Sequence, residues 1–398
     1  MSEQSDFCFR AVAIVWVFAI VTSSCRTEPI PESLTEDNVE WALLDVDQEV
    51  IVTGYAIPWA IEILAEEEYL FTERLGNLLY FKDGTTKELS GIPEVMTVEN
   101  SGLTYGGLMD VSLHPDFSEN GLVYVAYVNE NGIMAVGRFD FSGRAVEDFE
   151  VIFESNTFSI GSRIIWDNSR HFYVSHGMGG SPDPDPGPQD LSHDSGKIHR
   201  LMEDGSIPDD NPIFDGFSDP TSIWSYGHRD PQGLYFDREE EVLYSTEHGP
   251  LGGDELNIVT KAGNYGWPLY SNGLNYDRSA VSSLSEEEAS QQFVMPLKTW
   301  GPQFNMAPSG LEKLEESLFT DLNGSFLLGS LAQQRLIAYS PESGRTSILL
   351  DRIGRVRDVA QLPSGGLLIL LDYRSPKLED SGRIVKITPK LSPPVSGG

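Results

Sequence analysis

The sequence predicts an all-β fold: a six-bladed β-propeller with four-stranded antiparallel blades. Three observations lead there. Short apolar strands of period two recur along the body, separated by Gly-rich turns. The unit of an apolar strand, a turn, an alternating strand and a third strand after a Gly repeats six times. No Pro/Ser-rich linker divides the body into separate β domains. A single short sheet cannot bury both of its faces. Sheets packed face to face around an axis do so and leave few open edges.

The chain opens with an export signal. Arg10 precedes the apolar run 11–21. That run is too short for a bilayer, which needs ~20 residues, but suits a signal core. Thr22-Ser23-Ser24-Cys25 then puts small residues before a cysteine, resembling a bacterial lipoprotein processing site, with Cys25 the expected lipid-bearing residue. Residues 1–25 are thus assigned to a lipoprotein-type signal peptide and 26–48 to a polar tether. The propeller takes 49–390 and a C-terminal tail takes 391–398. The expected location is exported and periplasmic, at the membrane only through an N-terminal lipid.

The six copies begin at Pro58-Trp59-Ala60-Ile61, Gly107-Leu108-Met109-Asp110, Ser162-Arg163-Ile164-Ile165, Gly233-Leu234-Tyr235-Phe236, Gly310-Leu311 and Val356-Arg357-Asp358-Val359. A strand near residue 50 is expected to complete the last blade. Two long insertions, about 177–195 and 263–308, interrupt the pattern. Long loops on one face of a propeller are where sites are built. The acidic loop 182–186 is either a Ca²⁺ loop or a plain solvated one, and its prolines, which restrict the convergence that Ca²⁺ requires, favour the solvated reading.

Composition narrows function. The 398 residues are 40% hydrophobic, enough for a sizeable core. With 27 Lys+Arg against 61 Asp+Glu, the formal charge is −34. Such a surface repels nucleic-acid phosphates and anionic lipid headgroups and attracts cations. Nucleic acid is excluded as a partner. The two cysteines, Cys8 and Cys25, lie in the signal region, so the body holds no disulfide framework or Cys-based zinc site.

The most informative stretch is Trp224-Ser225-Tyr226-Gly227-His228-Arg229-Asp230-Pro231-Gln232-Gly233-Leu234. Behind it come Glu247-His248-Gly249-Pro250-Leu251-Gly252-Gly253-Asp254-Glu255-Leu256-Asn257 and Gly263-Asn264-Tyr265-Gly266-Trp267-Pro268. In order and spacing these resemble the soluble quinoprotein sugar dehydrogenases, the glucose/sorbosone dehydrogenase family that includes aldose sugar dehydrogenases. Its pattern is G-H-R-N-P-Q-G-L, then E-[HQ]-G-P-x-x-x-D-E-[IL]-N, then G-x-N-Y-G-W-P. Ile57-Pro58-Trp59, Thr72-Glu73-Arg74, His114-Pro115-Asp116-Phe117 and Arg355-Val356-Arg357-Asp358 extend the resemblance over about residues 50–388.

The resemblance implies a six-bladed propeller and oxidation of a sugar C1 hydroxyl. Hydride passes to pyrroloquinoline quinone (PQQ) with Ca²⁺ assistance, and electrons leave to a periplasmic acceptor. PQQ is a planar tricarboxylate, which suits arginine forks. Arg229 matches the family's cofactor-contacting arginine, and Arg355 and Arg357, two apart on one strand face, match its carboxylate-binding pair. Gly249 and Pro250 match positions whose carbonyls hold Ca²⁺. Asp254, Glu255 and Tyr265 match positions around the cofactor and structural calcium sites. His248 falls where the family has His or Gln.

The departures concern catalysis. In Ser159-Ile160-Gly161-Ser162-Arg163, Ser159 stands where the resemblance implies a His base. In Gly177-Met178-Gly179-Gly180, Met178 stands at the position of its acidic partner. Tyr105 replaces a cofactor-side Gln, and Asp230 replaces the Asn after Arg229. Serine is no base near neutral pH without an activator. His176, two residues before Met178, is either a substitute base or a structural histidine. Two other functions stay open: a noncatalytic propeller binding a sugar, anion or protein, and, by fold analogy alone, a Ca²⁺-dependent hydrolase.

Overall fold

Alternation of buried and exposed side chains folds each repeat into an antiparallel meander. The computed structural model describes residues 39–100, 102–143, 145–178, 187–372 and 382–390. The signal segment with Cys25, the acidic loop 182–186 and the tail 391–398 lie outside the described residues. Six small sheets follow one another in chain order. Their innermost strands are Pro58–Ala65, Leu108–Leu113, Ile164–Trp166, Pro231–Asp237, Pro308–Lys313 and Arg355–Gln361. Each touches the next, and the sixth touches the first, so the sheets close into a six-bladed wheel.

Blade six is closed by the N-terminal side of the chain. Val46–Tyr55 pairs antiparallel with Gly382–Pro389, from Val46↔Pro389 to Tyr55↔Gly382. Joining the two ends of the sequence in one sheet removes the edge that an open wheel would expose. Part of the stretch assigned to the tether is structured too. Val39–Trp41 adds in parallel to Arg345–Leu350, the outer strand of blade five. Arg335 stacks over Trp41 at 4.8 Å. The second long insertion likewise supplies a strand, Lys298–Trp300, the fourth of blade four. With three residues it carries no alternation to read.

The core lies in the seams between blades. Tyr124, Trp166 and Phe172 interlock between blades two and three, with ring centroids 4.8 Å (Tyr124–Trp166) and 5.4 Å (Trp166–Phe172) apart. Tyr244 and Phe326 meet at 4.7 Å between blades four and five, and Tyr55 meets Phe71 edge-on at 5.5 Å between six and one. At Gly107 the backbone is left-handed (φ 76°), and a Cβ there would strike the Arg74 carbonyl. Only glycine lets blade two start so close to the turn after blade one's second strand, Glu68–Glu73.

One side chain fills the axis. Arg163 leaves the chain just before blade three. It donates to the Gln232 carbonyl of blade four (2.9 Å) and, through Nη1, to Asp110 of blade two (3.1 Å) and Asp358 of blade six (2.9 Å). Its Nη2 reaches the Arg357 carbonyl (3.1 Å) and the Trp59 carbonyl of blade one (3.4 Å). Five of the six blades thus meet on one guanidinium, whose planar fork satisfies several acceptors at once.

Phe172 is fully buried in the blade two–three seam. Phe172→Ala is expected to cost about 3–5 kcal/mol, read as a lower midpoint in urea unfolding.

Candidate functional site

The first residues of the innermost strands, the turns before them and, in blade one, the turn after the second strand (Glu68–Glu73) gather cations on one side of Arg163. Arg355 Nε and Arg357 Nε bind the two oxygens of Asp372 at 2.7 and 2.8 Å. A β-bulge between Val356 and Asp358 breaks the register there. Arg357 Nη1 donates to Gln232 Oε1 (2.6 Å), and Gln232 Nε2 donates to Asp230 Oδ2 (2.7 Å). Trp59 holds two guanidiniums on its ring, Arg74 at 3.7 Å and Arg357 at 3.9 Å from the centroid. Burial and the neighbouring Arg357 push the Arg74 guanidinium well below its ordinary value. Burial, with Arg355 adding repulsion, brings Arg357 down to about 10. Buried like charges at this spacing favour an anion between them.

Arg229 joins the cluster from the turn before blade four. Its backbone N–H donates to Glu247 (2.7 Å), and its Nη1 donates to the His248 and Gly249 carbonyls at 3.2 and 3.0 Å. The guanidinium lies 5.1 Å from the Trp267 ring, and Nη2 meets the Tyr276 hydroxyl at 3.3 Å. Its Nε has no hydrogen-bond partner, nor has Arg74 Nε, though both are buried. Buried donors without partners need an explanation, and a bound acceptor is one.

Asp230 and His248 stand between Arg229 and Arg357. Asp230 is 2% exposed, and burial raises it to about 6 against the pull of Arg229, Gln232, Arg357 and Arg74. Its Oδ1 has no partner. A Cβ at Gly177 would collide with that oxygen, so Gly177 makes room for it. His248 Nδ1 lies 3.3 Å from Asp230 Oδ2, and Nε2 lies 3.0 Å from the Pro308 carbonyl. Burial and the positive charges of Arg229 and Arg357 hold His248 down at about 3, as a neutral ring.

Behind Arg229 sits a small pocket of about 10 Å³, lined among others by Glu247, Glu255, Gly253, Tyr265 and Tyr270. That is room for roughly one water-sized occupant. Burial first, and then Glu247, raises Glu255 well above its ordinary value. Asn257 Nδ2 bridges Glu247 (2.7 Å) and Glu255 (3.1 Å), while its Oδ1 is buried without a partner. Crowded carboxylates beside an unused carbonyl oxygen suit a hard cation. Asp254 is committed elsewhere. Its oxygens accept from the Gly249, Met306 and Ala307 N–H groups at 3.0, 2.8 and 3.0 Å. The Tyr265 hydroxyl donates to the Ile258 carbonyl (2.5 Å) and its ring stacks on His228 at 4.3 Å. Pro250 is buried next to Gly249.

The remaining positions divide. Tyr105, half-buried, is raised by burial and then by Asp230 and Tyr276, which places it within electrostatic reach of both. Ser159 is fully buried. Its Oγ donates to the Gly161 carbonyl (2.5 Å) and accepts the Gly177 N–H (3.0 Å). The Met178 N–H donates to the Arg229 carbonyl (2.8 Å). His176 is turned into its blade, with Nε2 near Thr157 (3.1 Å) and Ser155 (3.2 Å) and Nδ1 near the Gly177 carbonyl (2.8 Å). Burial and His199 lower it to about 4. It makes no contact with Asp230 or the arginines. Sequence reasoning missed Trp59, Arg74, Gln232, Asp372 and Tyr276 as site residues. The first three lie in motifs that were read only as likeness. Asp372 ends an apolar run, Leu367–Asp372, where a lone acid is the signal.

On the far side of Arg163 the axis opens into a second chamber of about 470 Å³. Later residues of the same innermost strands line it, among them Ile63, Phe236, Glu62 and Glu312. Arg163 and Arg238 line it, but the four-arginine cluster lies on the other side. Burial raises Glu62 and Glu312 to about 8 each, with Asp110 and Asp358 adding to the Glu62 shift and Asp358 and Glu62 to that of Glu312.

Residues 55–385 match the family described as Glucose / Sorbosone dehydrogenase. The chain belongs to that family. The glucose/sorbosone dehydrogenases are sugar-oxidising oxidoreductases, and several members resemble this chain along most of its length. The aldose sugar dehydrogenase YliI of Escherichia coli K12 is 33% identical over 369 residues, 87% of this chain and 93% of the relative. The quinoprotein glucose dehydrogenase B of Acinetobacter calcoaceticus is 26% identical over 312 residues, 64% of each chain. Among solved structures, the apo-form soluble aldose sugar dehydrogenase of Escherichia coli superposes with a TM-score of 0.74 at 30% identity, covering 87% of this chain and all of that one. A glucose dehydrogenase crystal structure gives 0.76 at 31% identity, with the same coverage.

Glu312 generates a pH prediction. Its folded value lies above the ordinary 4.5, so the fold favours the neutral acid. The cost of ionising it is absent below about pH 4, grows as pH rises towards 8 and is constant beyond. Glu312→Gln should leave the melting temperature unchanged at pH 4. At pH 9 it should raise stability by roughly 1–3 kcal/mol after solvent screening at the chamber mouth, measured by thermal melts across that range.

Proposed function

We propose that this chain is an exported quinoprotein sugar dehydrogenase that oxidises the C1 hydroxyl of an aldose. PQQ and Ca²⁺ are its cofactors, and a periplasmic acceptor takes the electrons. The observation that carries the reading is the convergence of Arg74, Arg229, Arg355 and Arg357 on one mouth, with buried Nε donors left unpartnered at Arg74 and Arg229. Arg355 and Arg357 already share Asp372, so four guanidiniums face two carboxylates, Asp372 and Asp230. An anionic planar guest fits that donor set. When bound, the quinone with its metal supplies a polarised hydride acceptor.

The chain's own residues then do the rest. Arg229, Arg355, Arg357 and Arg74 hold carboxylates, and Trp59 keeps two of those forks stacked and oriented. The Gly249 and Pro250 carbonyls are assigned to the cofactor's Ca²⁺, and Glu255, with Tyr265 lining the same pocket, to a structural Ca²⁺. Asp254 acts indirectly by bracing the Gly249 turn. His248 orders Asp230, and Tyr105 lies within electrostatic reach of Asp230, Arg74 and Arg229. His176 faces Ser155 and Thr157, so proton acceptance rests on Asp230, whose Oδ1 has no hydrogen-bond partner. Export with a lipid on Cys25 belongs to the same reading.

One observation favours a second reading, a propeller that binds at this mouth without turnover. Ser159 Oγ is spent on Gly161 and Gly177, and Met178 carries no proton-transfer group.

Purified chain reconstituted with Ca²⁺ and PQQ is expected to give a saturable absorbance shift and aldose-dependent dye reduction. Absence of cofactor binding eliminates the dehydrogenase. Arg357→Leu should weaken quinone binding at least ~30-fold, the scale of a lost charged hydrogen-bond pair. If wild type binds but does not turn over, the binding-only reading holds. Ser159→His with Met178→Asp should then raise the rate by ~10²-fold.

A further inference from the structure

One aromatic side chain at the mouth is held in the open. Tyr276 is 69% exposed, although its hydroxyl reaches Arg229 Nη2 at 3.3 Å. Its position is not that of a loose loop. The Arg278 N–H closes a turn on the Asn275 carbonyl (2.8 Å), and the Asn275 N–H bonds the Ser279 carbonyl (2.9 Å). Asp277 Oδ1 accepts from the Ser279 N–H (2.9 Å) and hydroxyl (2.6 Å). Asn275 Nδ2 donates to Ser279 Oγ (3.1 Å) and the Ala280 carbonyl (3.2 Å). Leu274, at the base, pairs with Ala280 on one side and with Leu251 on the other. The Leu251 pairing fastens the turn to the segment that carries Gly249 and Pro250.

A rigid turn thus presents a large aromatic ring to solvent beside the arginine cluster. The ring contributes little to the core, since most of it stays wet. Its Arg229 contact uses only the hydroxyl. Aromatic rings with an apolar body and a polar tip are the side chains suited to surfaces that meet a partly apolar, partly hydrated ligand. A pyranose is such a ligand, with C–H groups on its faces and hydroxyls at its edge. A preorganised ring binds it without the cost of ordering a flexible side chain.

We propose that Tyr276 is a specificity-determining residue: its ring is the platform on which the aldose pyranose lies at the mouth of the site. This rests on the sugar dehydrogenase reading and adds the residue that sets sugar affinity. Arg229 fixes the hydroxyl end of the ring, which turns the platform towards the cofactor side.

The test separates ring, hydroxyl and cofactor. Because Tyr276 is mostly exposed, Tyr276→Ala and Tyr276→Phe should both fold. With PQQ-loaded protein, Tyr276→Ala should raise KM for D-glucose at least tenfold, with kcat within threefold and quinone Kd within twofold of wild type. Tyr276→Phe, which keeps the ring, should stay within about threefold in KM. Independently of turnover, saturation-transfer NMR with methyl β-D-glucopyranoside, whose C1 oxygen is blocked, should show transfer to the sugar ring protons in wild type and Tyr276→Phe. Transfer should be lost in Tyr276→Ala. Unchanged KM and unchanged transfer in Tyr276→Ala overturn the platform while leaving the dehydrogenase intact. A loss in Tyr276→Phe equal to that in Tyr276→Ala, or a matching loss of quinone affinity, overturns it in favour of a hydroxyl acting through Arg229. Wild type that binds no quinone removes the dehydrogenase, and the NMR arm still decides whether Tyr276 holds a sugar.

Discussion

The architecture depends on a single buried guanidinium at the axis. Arg163 is bonded to partners from blades one, two, four and six while leaving the chain at blade three. Its two carboxylate partners, Asp110 and Asp358, are themselves buried, so the charge is compensated where water is scarce. Buried ion pairs add little net stability, yet removing one partner leaves a charge stranded at a cost of several kcal/mol. The arrangement therefore fixes geometry more than it adds stability. It also divides the axial space. On one side the arginines gather, and on the other Glu62 and Glu312 line the second chamber.

That division sets two opposite electrostatic environments about one residue. The protein as a whole carries −34, but four of its 27 Lys+Arg, Arg74, Arg229, Arg355 and Arg357, gather at one mouth. A multiply anionic cofactor approaches a repelling surface and meets attraction only inside the mouth. Long-range steering is thus unfavourable and short-range capture favourable, which points to slow association and slow release. A neutral sugar feels neither field. Under the proposed function, the same molecule would hold a charged cofactor for long periods while exchanging uncharged substrate freely.

Much of this was legible in the residues. Period-two strands and six recurring starts announced the wheel, and the match of Arg229, Arg355 and Arg357 to the family's cofactor-contacting positions pointed to a cationic mouth. What could not be read was pairing across long sequence distance. Asp372 joins Arg355 and Arg357, and Gln232 links Arg357 to Asp230, only because the blades are curled around one axis. Trp59 lies in a recognised motif, but nothing local says that two guanidiniums will share its ring. Short strands failed for another reason: Val39–Trp41 and Lys298–Trp300 are too brief for a period to show. The histidine at 176 illustrates the limit of proximity in sequence. It is two residues from Met178, yet strand alternation turns it into the blade.

The parallel strand Val39–Trp41 has a mechanical consequence. Any force applied to the chain ahead of residue 39 reaches the wheel at the rim of blade five, through a three-residue ladder. The strand that closes blade six comes later, at Val46–Tyr55, and carries a ladder of eight aligned pairs. Under tension the short ladder peels first and lengthens the leash. The long one then keeps the circle shut.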